Sequence, residues 1–156
     1  PNQPRYNLQG HVLPPASAAL LGDQWVSGLC ACLDDCGSAI DICVCHWCQL
    51  GYQYHRLRKW YVDMDAAVCC GAWCLDLFTV AGGSIIMTMY LRSKIAERYG
   101  IKEHICGTIC YSTWCSLCAL CQQHREMSAR GEWPMGFCVS APFEMPPPPP
   151  QMGPIA

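Results

Sequence analysis

Fifteen cysteines are the residues in this chain most able to do chemistry. Many stand three or four apart: Cys32/Cys36, Cys45/Cys48, Cys70/Cys74, Cys106/Cys110, Cys115/Cys118 and Cys118/Cys121. Tetrahedral zinc takes four thiolate or imidazole ligands, often as two such pairs. Residues at this spacing share a helical face. Cys118 with Cys121, or Cys121 with His124, therefore offers two ligands to one ion. The Cys43, Cys45 and Cys48 block would supply the rest. The candidate metal set is thus Cys43, Cys45, Cys48, Cys115, Cys118, Cys121 and His124, with zinc as the candidate cofactor. Disulfides compete for the same residues, stapling a small fold in an oxidising compartment. A bridge within one helix constrains little, so useful bridges would join the two halves of the chain. An odd count leaves at least one thiol over, and a few cysteines would serve as small buried hydrophobes.

Other chemistries fit less well. Cys115, Cys118 and Cys121 copy the first three ligands of a ferredoxin run, but Arg125 stands where the fourth would be, which argues against an iron–sulfur cluster. Cys45-His46-Trp47-Cys48 has redox-motif spacing and a neighbouring imidazole, yet no βαβ pattern surrounds it. There is no phosphate loop, dinucleotide fingerprint or G-x-S-x-G turn. The acids are scattered, and Asp34-Asp35 reads as a turn. Of the five histidines, only His46 and His124 lie beside cysteines. A non-enzymatic protein is expected.

The elements that must position these residues are short helices. At 156 residues the chain suits one modest core. Hydrophobic residues make up 52% and charged residues 14%, against about 25% charged in ordinary soluble domains. That deficit calls for a membrane or a partner surface. A net charge of −2 disfavours nucleic acid. The chain begins at Pro1 rather than Met, as a processed form would, and shows no signal peptide or transit segment. Residues 1–23 read as an extended arm, 24–131 as the Cys-rich domain and 132–156 as a tail carrying Pro146 to Pro150, which favours polyproline II.

Within the domain, Gly28 and Gly37 punctuate short helical turns up to Tyr54. His55-Arg56-Leu57-Arg58-Lys59-Trp60-Tyr61 mixes cations with aromatic rings, as a lipid headgroup region favours. From Ala66 to Leu91 the only charge is Asp76. The run is long enough to cross a bilayer. It could equally form a core helix, or a re-entrant pair broken at Gly82-Gly83. If it spans, its basic end at Arg92 and Lys94 faces the cytosol or matrix. Ile85, Met89, Ile95 and Tyr99 keep a helical period. Gly100 is placed to end that helix in a left-handed turn, with Ile101 folding back on it. Ser112 is placed to cap the next helix, and Gly131 to close it.

Two blocks carry a resemblance. Lys94-Ile95-Ala96-Glu97-Arg98-Tyr99-Gly100-Ile101 precedes Cys115-Ser116-Leu117-Cys118-Ala119-Leu120-Cys121-Gln122-Gln123-His124-Arg125-Glu126. Upstream stand Trp25, Gly28-Leu29-Cys30, Asp35-Cys36-Gly37 and Cys43-Val44-Cys45-His46-Trp47-Cys48. From Gln24 to Gly131 the chain resembles the Cys-rich family that includes placenta-specific eight protein, cornifelin and the plant cadmium-resistance and cell-number regulators. One departure stands out. Metal-moving plant members usually carry Cys-Pro in the first block, and here Gln49 follows Cys48, which weakens the transfer of metal export.

Two functions follow as expectations. The first is a structural, membrane-associated accessory subunit of a larger membrane assembly, touching lipid and gripping neighbouring subunits with its arm and Pro-rich tail. Its location would be the plasma membrane or an organelle, with the mitochondrial inner membrane among the candidates. The second, implied by the resemblance, is zinc or cadmium homeostasis or transport. Asp76 would then be a functional acid inside the apolar run. The fold expected under both is mainly α: a small Cys-rich helical domain with one or two membrane-embedded or buried apolar helices and extended termini.

Overall fold

A computed structural model describes residues 22–59, 63–130 and 132–136, with the backbone of one short strand pair in the arm. That pair joins Arg5–Tyr6 (β1) antiparallel to Val12–Leu13 (β2), with Arg5 opposite Leu13. A 3-10 turn, Ala31–Asp35, leads into six α-helices. These are α1 (Cys36–Val44), α2 (His46–Arg58), α3 (Ala66–Thr79), α4 (Gly82–Tyr99), α5 (Ile105–Trp114) and α6 (Ser116–Ala129). The mainly helical, Cys-rich fold expected from the sequence is the fold observed.

The helices form three successive pairs, each an apolar, Cys-bearing helix followed by a more polar one. The polar members α2, α4 and α6 pack on one another. Each apolar member lies outside, against two of them: α3 on α2 and α4, α5 on α4 and α6, α1 on α6 and α2. Leu50, Leu91, Leu120 and Cys121 from the inner helices meet Ile42 and Ala72 from the outer ones in the main core cluster. The inner helices also bury Gln49, Gln53, Thr88, Arg92, Gln123 and His124. On the outside the polarity is reversed. Cys36, Ile40, Cys43 and Val44 on α1, Cys70, Trp73, Cys74, Leu77 and Phe78 on α3, and Ile105, Cys106, Ile109, Cys110 and Trp114 on α5 are exposed.

Each pair is broken for a local reason. Cys45 (φ −144°) separates α1 from α2, and Cys115 (φ −135°) separates α5 from α6. Each still donates its backbone N–H four residues back, Cys45 to Asp41 and Cys115 to Tyr111. Between α3 and α4 the chain turns through Val80 (φ 49°) and Ala81 (φ 70°), both left-handed. The apolar run 66–91 is therefore two helices broken just before Gly82-Gly83. No described helix is long and apolar enough to cross a membrane by itself. α5 and α6 together meet a length and composition test, but they are bent by 118° and α6 is buried.

The stop at Gly100 is as expected. Its φ is 69°, and Ile101, buried, donates to the carbonyl of Ala96 at 2.8 Å. Ser112 differs from expectation. It lies buried inside α5, which is capped instead by the His104 side chain accepting from the Cys106 N–H. Gly131, Trp60, Tyr61 and most of the arm and the tail fall outside the described residues.

Candidate functional site

The Q-x-x-R-E stretch of α6 explains how the two halves meet. Gln122 donates through Nε2 to the carbonyl of Ser27 at 2.7 Å. Arg125 donates to Ser27 Oγ at 3.0 Å and to the carbonyls of Gly28 and Ala31. Glu126 accepts from the Val26 N–H at 2.7 Å and from Arg130. One buried helix thus clamps residues 26–31, almost a hundred positions earlier in the chain. The clamp carries Cys32 to the start of α6.

A thiol cluster results there. Cys32 hydrogen-bonds with both Cys118 and Cys121, and Cys30 and Cys115 stand near enough to act on Cys118. Burial, then the bond to Cys32, pushes the Cys118 thiol up to about 11 and the Cys121 thiol up to about 12. Both are neutral at physiological pH. The structure thus joins Cys115, Cys118 and Cys121 of the expected metal set with two thiols that set did not include.

The other expected ligands lie elsewhere. Cys45 and Cys48 are bonded to each other as a disulfide. Cys69, on α3, donates to the Cys48 sulfur at 3.9 Å. Cys43 is exposed on α1. His124 is buried, with its ring edge-on to Trp133 at 6.1 Å. Burial pushes its imidazole down to about 4. Among the described residues, no three His, Cys, Asp or Glu side chains stand in positions that could hold an ion. The seven residues do not fit one structural zinc centre.

Asp76 is a joint between helices. Its carboxylate accepts from Trp47 Nε1 at 2.8 Å, from the Ser84 N–H at 2.8 Å and from the Ser84 hydroxyl. His46 Nε2 lies 3.1 Å from Ser84 Oγ. Burial alone would raise the Asp76 carboxyl, but the bonds from Ser84 and Trp47 outweigh it and hold it below the ordinary carboxylate range. This one acid ties α3 to α2 and α4.

Sequence reasoning missed the cleft of about 450 Å³ beside Arg92, whose walls include Trp25, Lys102, Glu103 and Tyr111. Arg92 forms a fork with Glu103 at 2.8 and 2.7 Å. Its guanidinium lies 4.1 Å from the Trp25 ring centroid. An Arg eleven residues before a Glu was the only signal available.

Fold and clusters together define a class: a small helical domain, apolar outside, whose termini are drawn together by a polar inner helix beside a group of thiols. The profile of the PLAC8 family matches residues 25–126, and the chain belongs to that family. It is 38% identical to cell number regulator 7 of Zea mays over 128 residues, covering 79% of this chain and 68% of that protein. It is 30% identical to plant cadmium resistance protein 2 of Arabidopsis thaliana over 110 residues, 69% of each chain. Plant cadmium resistance protein 1 of the same plant is 32% identical over 112 residues, covering 69% of this chain and 70% of that one. No solved structure shows a significant match.

Proposed function

We propose that this chain is a non-enzymatic, membrane-associated protein that handles soft divalent cations such as zinc and cadmium as cargo. The thiol cluster of Cys30, Cys32, Cys115, Cys118 and Cys121 is the capture point. The observation that carries this reading is the bonding of Cys32 to both Cys118 and Cys121, which sets three soft donors at the seam between the two halves. The names of two relatives, plant cadmium resistance proteins 1 and 2, support the choice of cation. Capture requires the Ala31–Asp35 turn to draw inward and the thiols to give up protons to solvent. A site that must close round its ion, and that starts protonated, also releases it readily, as suits cargo.

The test is cadmium titration of the reduced protein, followed by the ultraviolet thiolate-to-metal band and by proton release. Wild type should bind with release of protons. Cys118→Ser with Cys121→Ser should lose the band, whereas Cys70→Ser with Cys74→Ser on α3 should keep it. Equal binding by both double variants would overturn the site.

A second reading, accessory subunit of a larger membrane assembly, is favoured by the uncharged outer faces of α1, α3 and α5. The arm and the Pro-rich tail would grip its neighbours. Native sizing after mild detergent extraction should then give a mass well above the monomer's 17.3 kDa.

A further inference from the structure

The second group of sulfurs supports a different chemistry, independent of any metal. The Cys45–Cys48 bridge spans the α1–α2 break and the first turn of α2, residues three apart. Cys69 reaches it from α3, with its sulfur 3.9 Å from that of Cys48. The approach depends on Gly51, one turn beyond Cys48 on α2. A Cβ at Gly51 would lie 2.9 Å from the carbonyl oxygen of Asp65, 3.2 Å from Met64 and 3.5 Å from the Cys69 Cβ. The bare glycine lets the start of α3 settle on the face of α2 that carries the disulfide.

We infer that Cys45, Cys48 and Cys69 form an intramolecular thiol–disulfide exchange site, at which the bridge moves from Cys45–Cys48 to Cys48–Cys69. The Cys69 thiol gives its proton to solvent and its thiolate attacks Sγ of Cys48. The Cys48–Cys69 bond forms, the Cys45–Cys48 bond breaks, and Cys45 leaves as a thiolate that takes up a proton. One disulfide and one thiol exist before and after, so no oxidant or reductant is consumed.

The two bridges do different things. The first closes a loop within one stretch of chain. The second joins residues 21 apart and fastens α3, and with it the α3–α4 pair, to α2. In the chain-entropy account the longer loop constrains the unfolded chain more, by about twentyfold in the unfolding equilibrium. The exchange also frees Cys45 at the joint between α1 and α2. Its rate follows the thiolate fraction of Cys69. Burial, then the neighbouring Cys70, holds that thiol above its ordinary range. Tyr52 from α2, and Asp63 and Asp65 from the segment before α3, are the other titratable groups around it.

The experiment uses the whole chain, dilute and free of air, held from about pH 6 to about pH 9. Samples are quenched in acid, alkylated and mapped by mass spectrometry. The expected result is a Cys48–Cys69 linked species that grows at constant total thiol. Its rate should rise with pH and be independent of protein concentration, while Cys45 becomes open to alkylation. Cys69→Ser should keep only the Cys45–Cys48 bridge. Cys45→Ser should close Cys48–Cys69 on mild oxidation and unfold at a higher temperature than Cys69→Ser. A Cys45–Cys48 link that persists alone at every pH would overturn the inference. So would a Cys48–Cys69 link that forms only as thiols are lost or as protein concentration rises. The wild-type map decides the matter even if a variant fails to fold.

Discussion

His124 shows how far a residue's surroundings can displace its chemistry. Beside a cysteine helix it reads as a ligand. In the fold it is a buried neutral imidazole held down to about 4, against an ordinary 6.5. As pH falls below about 6.5 the unfolded chain gains a proton that the folded chain refuses, so stability declines until about pH 4. The loss is on the order of 3 kcal/mol over that window. Chemical unfolding at several pH values should show it, and His124→Gln should flatten the slope between those limits. Cys118 and Cys121 act in the opposite direction. Their raised values leave the folded chain holding protons that the unfolded chain sheds above about pH 9, so stability falls again in alkali. Asp76 offers a third check at this scale. Asp76→Asn keeps the shape but removes the charged acceptor for Trp47 and Ser84, and should cost about 1.5–3 kcal/mol in thermal unfolding. If the acid also moved ions, cadmium tolerance would fall in cells where the variant is still folded.

At the scale of elements, the α3–α4 joint is the most constrained place in the chain. A Cβ at Gly83 would sit 2.6 Å from the Leu75 Cβ and 2.9 Å from the carbonyl of Ala72. Gly83→Ala should therefore destabilise by about 1–3 kcal/mol. Val80 sits in the left-handed region at φ 49°, where a side chain costs roughly 1–2 kcal/mol. Val80→Gly should thus shift thermal unfolding the other way. The sequence shows part of this plainly. Gly100 after a basic helical run announced its own left-handed stop, because that signal is local. The paired turns of residues 66–91 were readable only as one of three options, because hydropathy does not reveal where two left-handed non-glycine residues will be tolerated. The clamp by Gln122, Arg125 and Glu126 was invisible for a different reason. Its partners are backbone groups of residues 26–31, and backbone leaves no mark in a sequence. The thiol cluster was half legible: spacing picked out Cys118 and Cys121, and only the clamp could supply Cys32.

For the whole molecule, the distribution of polarity is the chief fact. Gln, Thr, Arg and His lie between the inner helices, while Trp73, Phe78, Ile109 and Trp114 face outward. Apolar area exposed on this scale marks a surface meant for lipid or protein. The exposed basic residues Lys94 and Arg98 sit beyond Ile86 and Tyr90 along α4, so charge returns only toward one end. Flotation with liposomes should carry the protein into the lipid fraction. Phe78→Asp combined with Trp114→Asp should leave it in the aqueous layer, with its helical circular dichroism unchanged. Retention of the double variant on lipid would place the binding surface elsewhere.

The reach of the α6 clamp also sets an order of events at the ribosome. The residues that fasten Val26 to Ala31 are among the last of the domain to be synthesised. A nascent chain carrying only the first two helical pairs therefore has no way to secure its own beginning. Its apolar helices emerge early and unaccompanied, ready for a bilayer or a chaperone, and the domain closes only once synthesis has passed Glu126.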